Sequence, residues 1–88
     1  VSDRLLRRIQ RDFPAPAEAL RLIDELPADH GQDVERVQAA VVLYARGDIS
    51  RLRDRLDLAR IDWRDVLVSG DLADGDWPQR LDRELGPA

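Results

Sequence analysis

Between Gln38 and Arg46 lie seven apolar residues in a row, Ala39-Ala40-Val41-Val42-Leu43-Tyr44-Ala45, in a chain whose charged side chains otherwise recur every few positions. A run of this length suits a buried strand as well as half a buried helix, and its internal periodicity does not choose between them. The flanks choose. Val34, Val37, Val41 and Tyr44 recur at three- and four-residue steps, with Glu35, Arg36 and Gln38 filling the positions between, which is helical spacing. Asp33 is placed to accept from free backbone N–H groups at the N-terminus, and Gly47 to take the left-handed conformation that closes a C-terminus. The pattern predicts one helix from about residue 33 to 46. Its second half is apolar on nearly every side, so neighbouring elements are expected to cover it all round.

Length then restricts what can surround that helix. Eighty-eight residues make one domain, here 1–88, with one core. A chain of this size buries only about 60 to 65% of its unfolded surface. There is no cysteine, which removes disulfides, a thiolate nucleophile and cysteine-ligated zinc. No apolar run approaches the roughly 18 residues of a membrane span, and the N-terminus has no apolar signal stretch, so a cytoplasmic protein without membrane contact is the expectation. All fourteen basic residues are arginine, and the net charge is -4. That balance argues against a dedicated nucleic-acid binder, because phosphate neutralisation supplies most of such affinity.

In chain order, Ser2 is positioned to cap a first helix running through Phe13. Leu5, Leu6, Ile9 and Phe13 fall within about 100° of arc and form its core face. Arg4, Arg7, Arg8 and Arg11 occupy an equally narrow arc on the opposite side, with Asp12 at its edge. This arginine stripe reads either as a solvated face or as a docking surface for an acidic partner. Residues 1–21 carry five arginines against three acids, a net of +2, and residues 65–88 carry two against six, a net of -4. Such polarity leaves head-to-tail self-association open. Replacing all four stripe arginines by Gln is expected to leave stability nearly unchanged if they are exposed.

Pro14-Ala15-Pro16 ends the first helix and starts a second, whose apolar side is Leu20, Ile23 and Leu26 joined by Leu22, with Pro27 as its stop. Residues 27–32 form a loop holding the only histidine, His30, to which no role is assigned. Gly47-Asp48 predicts a tight corner into a helix with Ile49, Leu52, Leu56 and Ala59 on one face. Arg51, Asp54, Arg55 and Asp57 lie opposite, with Arg53 and Asp57 spaced for an i,i+4 pair. Leu58 falls off the apolar stripe, and is the expected exposed contact residue. Asp62 is predicted to cap a short helix through Ser69. Asp76 repeats the arrangement before Trp77 and Pro78, with Gln79 at the capping-box position. Each tryptophan, Trp63 and Trp77, is expected to tuck beneath a helix start.

The acidic stretch Asp71-Leu72-Ala73-Asp74-Gly75-Asp76 imitates a calcium loop, but the register fails. With Gly75 at the sixth position, Gly70, Leu72 and Leu81 stand where carboxylates are required. No phosphate loop, nucleophile elbow or histidine-acid metal pair appears elsewhere. No catalytic, cofactor-binding or metal-ligating residue is therefore assigned, and no cofactor is expected.

Arg11-Asp12-Phe13-Pro14, Glu35-Arg36-Val37-Gln38-Ala39-Ala40, Ala45-Arg46-Gly47-Asp48 with Leu52, and Asp62-Trp63-Arg64-Asp65-Val66-Leu67 resemble the ordered motifs of a group of small bacterial helical proteins of unknown function. The resemblance covers roughly residues 9 to 67. The chain departs from it at Asp33-Val34, where the group has proline before Glu-Arg-Val, at Trp63, where it has tyrosine, and in a longer C-terminal extension. The resemblance implies an all-helical fold and transfers no functional residue.

The expected fold is all-α, with five or six short helices in an irregular bundle or a short right-handed stack of helical hairpins around the central helix. The leading functional expectation is a non-catalytic protein-protein interaction or accessory module, with Arg4, Arg7, Arg8, Arg11 and Leu58 as candidate partner-docking residues. The alternatives are a helix-turn-helix-like nucleic-acid binder, using residues 49–61 and 62–69, and an enzyme without a recognisable motif. The nucleic-acid reading is opposed by Asp62 and Asp65, which flank the single Arg64 of the second helix.

Overall fold

The apolar run does form a helix, and the helix is central. In the computed structural model, which describes residues 1–26 and 34–86, six helices follow one another and no strand occurs among the described residues. They are α1 Asp3–Asp12, α2 Pro16–Asp24, α3 Val34–Ala45, α4 Ile49–Ile61, α5 Trp63–Ser69 and α6 Trp77–Leu85. α3 packs against α1, α4, α5 and α6, while α2 packs on α1 and α4. The result is an all-α bundle. The expected features at Pro27, His30 and Asp33 lie outside the described residues.

Local chemistry sets most helix ends. Ser2 accepts from the Leu5 N–H at 3.3 Å to cap α1, and the Phe13 N–H closes it on the Ile9 carbonyl. Pro16 opens α2 at a position where its missing N–H costs nothing. After α3, Arg46 and Gly47 both take positive φ, 49° and 83°. Asp48 then caps α4 by accepting from the Ser50 and Arg51 N–H groups at 2.9 and 3.3 Å. Asp62 ends α4 and caps α5, accepting from the Arg64 N–H at 3.1 Å. The repeat expected at Asp76 fails: its side chain makes no cap bond to α6, and its carboxylate lies 3.4 Å from Arg80 Nε instead. The Asp76 backbone, at φ -89° and ψ 13°, lies outside the extended region taken by the capping Ser2, Asp48 and Asp62.

The core follows from the faces so defined. Leu5 and Ile9 of α1, Ile23 of α2, Leu52 and Leu56 of α4, Val66 and Leu67 of α5 and Leu81 of α6 enclose Val37, Val41 and Val42 of α3. Coverage of α3 is incomplete, against expectation. Leu43 and Tyr44 remain half-buried, because the short α5 and the turn after it leave one side of the helix unroofed. Both tryptophans pack half-buried against the core, with Arg36 over the Trp77 ring at 4.7 Å and Arg64 over the Trp63 ring at 5.3 Å.

The residue that ends α5 approaches α3 closely. A Cβ on Gly70 would stand 2.6 Å from both the Cα and the carbonyl oxygen of Ala40. Those are backbone atoms, so no side chain can swing aside. Gly70 has an ordinary φ of -88°, so space and not conformation demands glycine there. Gly70→Ala is therefore predicted to cost about 1 to 3 kcal/mol by overpacking. Gly75→Ala, with nothing within 4 Å of the new methyl, is expected to be neutral within about 0.5 kcal/mol. Val41→Asp, an unpaired carboxylate in the core, is expected to abolish folding against a total stability of about 5 to 15 kcal/mol. Urea titration followed by circular dichroism checks all three, and a Gly70→Ala protein that melts like the parent would refute the close-packing account.

Candidate functional site

The arginine stripe of α1 divides in two. Arg4 grips Glu35 of α3 with two bonds, Nε to Oε2 at 2.9 Å and Nη2 to Oε1 at 2.6 Å. Its remaining nitrogen, Nη1, reaches Asp82 at 2.6 Å and the Gly86 carbonyl at 3.1 Å. The side chain is only 10% exposed. Arg8 binds Asp12 at 2.7 Å and donates to the Glu84 carbonyl at 2.7 Å. Arg7 and Arg11 alone face solvent, Arg11 touching Asp12 at 3.2 Å. The expectation of one continuous solvated stripe is thus corrected at Arg4 and Arg8. α6 folds back along α1, burying Leu81 and Leu85 and bringing Asp82 and Glu84 to the arginines.

Leu58 is corrected in the same way. It is half-buried and packs against the core, whereas Ile61 at the end of α4 and Val68 on α5 are 85% and 67% exposed. The expected Arg53–Asp57 pair is replaced by a contact from Arg53 to Glu18 of α2 at 2.8 Å, and by one from Arg60 to Asp57 at 3.6 Å. Tertiary partners outcompete i,i+4 neighbours, whose pairing is worth only a few tenths of a kcal/mol.

The uncovered side of α3 opens into a cleft of about 500 Å³. Leu43 and Tyr44 of α3 provide its apolar surface over the buried Leu72, and Ser69, Gly70 and Asp71 form the turn at one edge. Around it stand Arg8, Arg46, Arg51 and Arg80 with Asp71 and Glu84, four arginines against two carboxylates, a net of +2 on a chain whose total is -4. Arg80 is neutralised by Asp71 and Asp76, and Arg8 by Asp12 and Glu84. Among the described residues neither Arg46 nor Arg51 forms an ion pair with a carboxylate, although the nearby Asp48 carboxyl, held below its usual range by the Ser50 hydroxyl and the backbone N–H groups of Arg51 and Ser50, is lowered further by the Arg51 charge. Arg51 instead lies over the Tyr44 ring at 4.7 Å, joined there by Arg55 at 4.6 Å. Arg55 is held in turn by Ser69 Oγ at 3.0 Å and by Asp54.

Sequence reasoning missed this site. It placed Leu43 and Tyr44 inside the core and Arg51 on a self-paired face. The available signal was the tyrosine, whose polar tip favours the boundary of a core over its centre. The acidic turn is also differently employed: Asp71, at φ 62°, and Asp76 both serve Arg80. Among the described residues no group of three histidine, cysteine or acidic side chains is arranged to hold a metal. α4 and α5 form the consecutive helix pair of the nucleic-acid reading, and α5 exposes Asp65 beside Arg64. No protein-family model, curated protein or solved structure matches the chain.

Electrostatics distinguish the two arginine assemblies. The Arg4 hydrogen bond holds the Glu35 carboxyl below the usual glutamate range, aided by the Ser2 hydroxyl and opposed by partial burial. A folded-state value below the unfolded one means that the contribution is complete above about pH 5 and is lost as pH falls through the depressed value. Arg4→Gln should accordingly cost about 1 to 2 kcal/mol at neutral pH, since it strands a partly buried carboxylate. The double change of Arg7 and Arg11 to Gln should cost less than about 0.5 kcal/mol. In Glu35→Gln the stability lost between pH 5 and pH 3 should shrink. Denaturation midpoints of the three variants across that range test the assignment, and an Arg4→Gln protein as stable as the Arg7/Arg11 variant contradicts it.

Proposed function

We propose that the protein is a non-catalytic, cytoplasmic interaction module that holds an acidic segment of a protein partner in the cleft beside α3. One observation carries the reading: Arg46 and Arg51 flank an open concavity without an ion pair to a carboxylate among the described residues, Asp48 feeling the Arg51 charge only at longer range, while Arg4, Arg8, Arg53, Arg55, Arg60 and Arg80 are paired with acids of the same chain. Arg7, Arg21, Arg36, Arg64 and Arg83 also lack an ion pair to a carboxylate among the described residues, and none of them lines this cleft. Arginine is the side chain best suited to the task, because its planar fork meets a carboxylate with two parallel bonds.

The absence of a chargeable base beside a nucleophile in the cleft favours binding over chemistry. The Ser69 hydroxyl, its one serine, donates to the Asp65 carbonyl and accepts from Arg55. No helix of the described residues is long and apolar enough to cross a membrane. Of the stripe residues, Arg7 and Arg11 extend the basic surface beyond α1's buried pairs. The resemblance to small bacterial helical proteins accords with an accessory role and adds no activity.

Cross-linking and mass spectrometry on the tagged protein in its native cell, in parallel with an Arg46→Glu/Arg51→Glu variant of equal melting temperature, test the proposal. The expected result is a protein partner joined to the cleft through an acidic segment, lost in the variant, and bound less well as salt rises above about 0.1 M. Co-purifying nucleic acid, or a partner retained equally by the variant, would overturn it.

A further inference from the structure

Resting on that reading, we infer that the segment taken by the cleft is a peptide in which one large apolar side chain is flanked by carboxylates. Leu43 and the uncovered part of Tyr44 receive the apolar side chain, and Arg46 and Arg51 receive the acids. The lining is of two kinds, and both must be used. Leu43 and Tyr44 belong to the most apolar stretch of the chain and remain half-buried where α3 faces the cleft. An occupant made only of charge would leave them wet. A volume of about 500 Å³ lies within the size range of ligand clefts, about 300 to 1,000 Å³.

The arginines are also prepared unequally. A guanidinium stacked on an aromatic ring covers one face and leaves its in-plane N–H donors pointing away from the ring. Arg51 Cζ lies 4.7 Å from the Tyr44 ring centre, and Arg55, tied down by Ser69 and Asp54, lies 4.6 Å from the same ring. The ring contact restricts Arg51 before any partner arrives. At the other end of the cleft Asp71 and Glu84 remain substantially exposed. A continuous polyanion would have to pass these negative groups. A peptide that places its acids at Arg46 and Arg51 and an uncharged side chain over Leu43 avoids them, so charge complementarity selects a mixed acidic and apolar segment over a nucleic-acid strand.

Fluorescence anisotropy with labelled Glu-Glu-Leu-Glu-Glu, labelled Glu-Glu-Gly-Glu-Glu and a labelled oligothymidine tests this directly on the full chain. Burial of the leucine side chain should make the first peptide bind at least about tenfold more tightly than the second. Leu43→Asn should remove that difference, and Arg46→Gln/Arg51→Gln should weaken both peptides. Because Leu43→Asn touches a half-buried position, side-chain NMR of the parent protein supplies an independent measure. The Leu43 methyl signals should shift with the leucine peptide and not with the glycine peptide. Equal binding of the two peptides, with loss in the arginine variant, would overturn the apolar specificity and leave acidic docking standing. If neither peptide binds, or if binding ignores the arginine variant, acidic docking itself fails. Tighter binding of oligothymidine overturns both.

Discussion

Gly70 lies against the backbone of Ala40 with no room for a methyl group, and much of the molecule is positioned by that contact. It brings the end of α5 onto α3, which forces the chain to turn at once through Asp71 and sink Leu72 into the core. The carbonyls of Leu72 and Ala73 then meet Arg36 of α3 at 2.9 and 3.3 Å, and Arg36 also covers the ring of Trp77 at the start of α6. With its start so placed, α6 returns along α1 and delivers Asp82 and Glu84 to Arg4 and Arg8. Gly47 repeats the device on the other side, where a Cβ would stand 2.2 Å from the Asp12 carbonyl oxygen. Small residues at two corners thus set the distances that the charged pairs then fasten.

The helices were legible because each signal is local. Ser2, Asp48 and Asp62 are short polar side chains one position before an apolar repeat, and nothing distant competes with their hydrogen bonds. Asp76 looks the same in sequence and behaves differently, since its backbone is not extended like theirs and its carboxylate lies near Arg80, one turn onward on α6. The apolar face of α1 was legible for the same local reason, through the repeat of Leu5, Ile9 and Phe13. The destiny of its opposite face was not, because that depends on where α6 ends up, more than seventy residues later. Arg4 and Arg7 are alike as letters; one is nearly enclosed and the other is open to solvent.

The cleft was hidden for a related reason. An apolar helix predicts burial wherever enough chain exists to supply neighbours, and 88 residues supply too few. α5 is a helix of seven residues that stops at the glycine, so the roof over Leu43 and Tyr44 ends there. What remains exposed is held in order by arginine stacking on Tyr44 and not by further burial. The residue that looked most exposed in sequence, Leu58, is packed, and the truly exposed Ile61 and Val68 sit at helix positions where a small shift in register decides inside from outside.

Charge acts here at two ranges that oppose each other. The whole chain carries -4, and the folded body measures 32 × 30 × 20 Å, so at millimolar salt, where screening lengths reach about 30 Å, an approaching acidic segment is repelled by the molecule as a whole. At about 0.1 M salt the screening length falls to about 10 Å, and an approaching segment senses mainly the charges around the cleft. The same screening has little hold on the Arg4–Glu35 pair, which is mostly enclosed and bidentate. Enclosed pairs hold the fold together across ionic strengths, and the unpaired arginines at the rim are left to respond to whatever surrounds them.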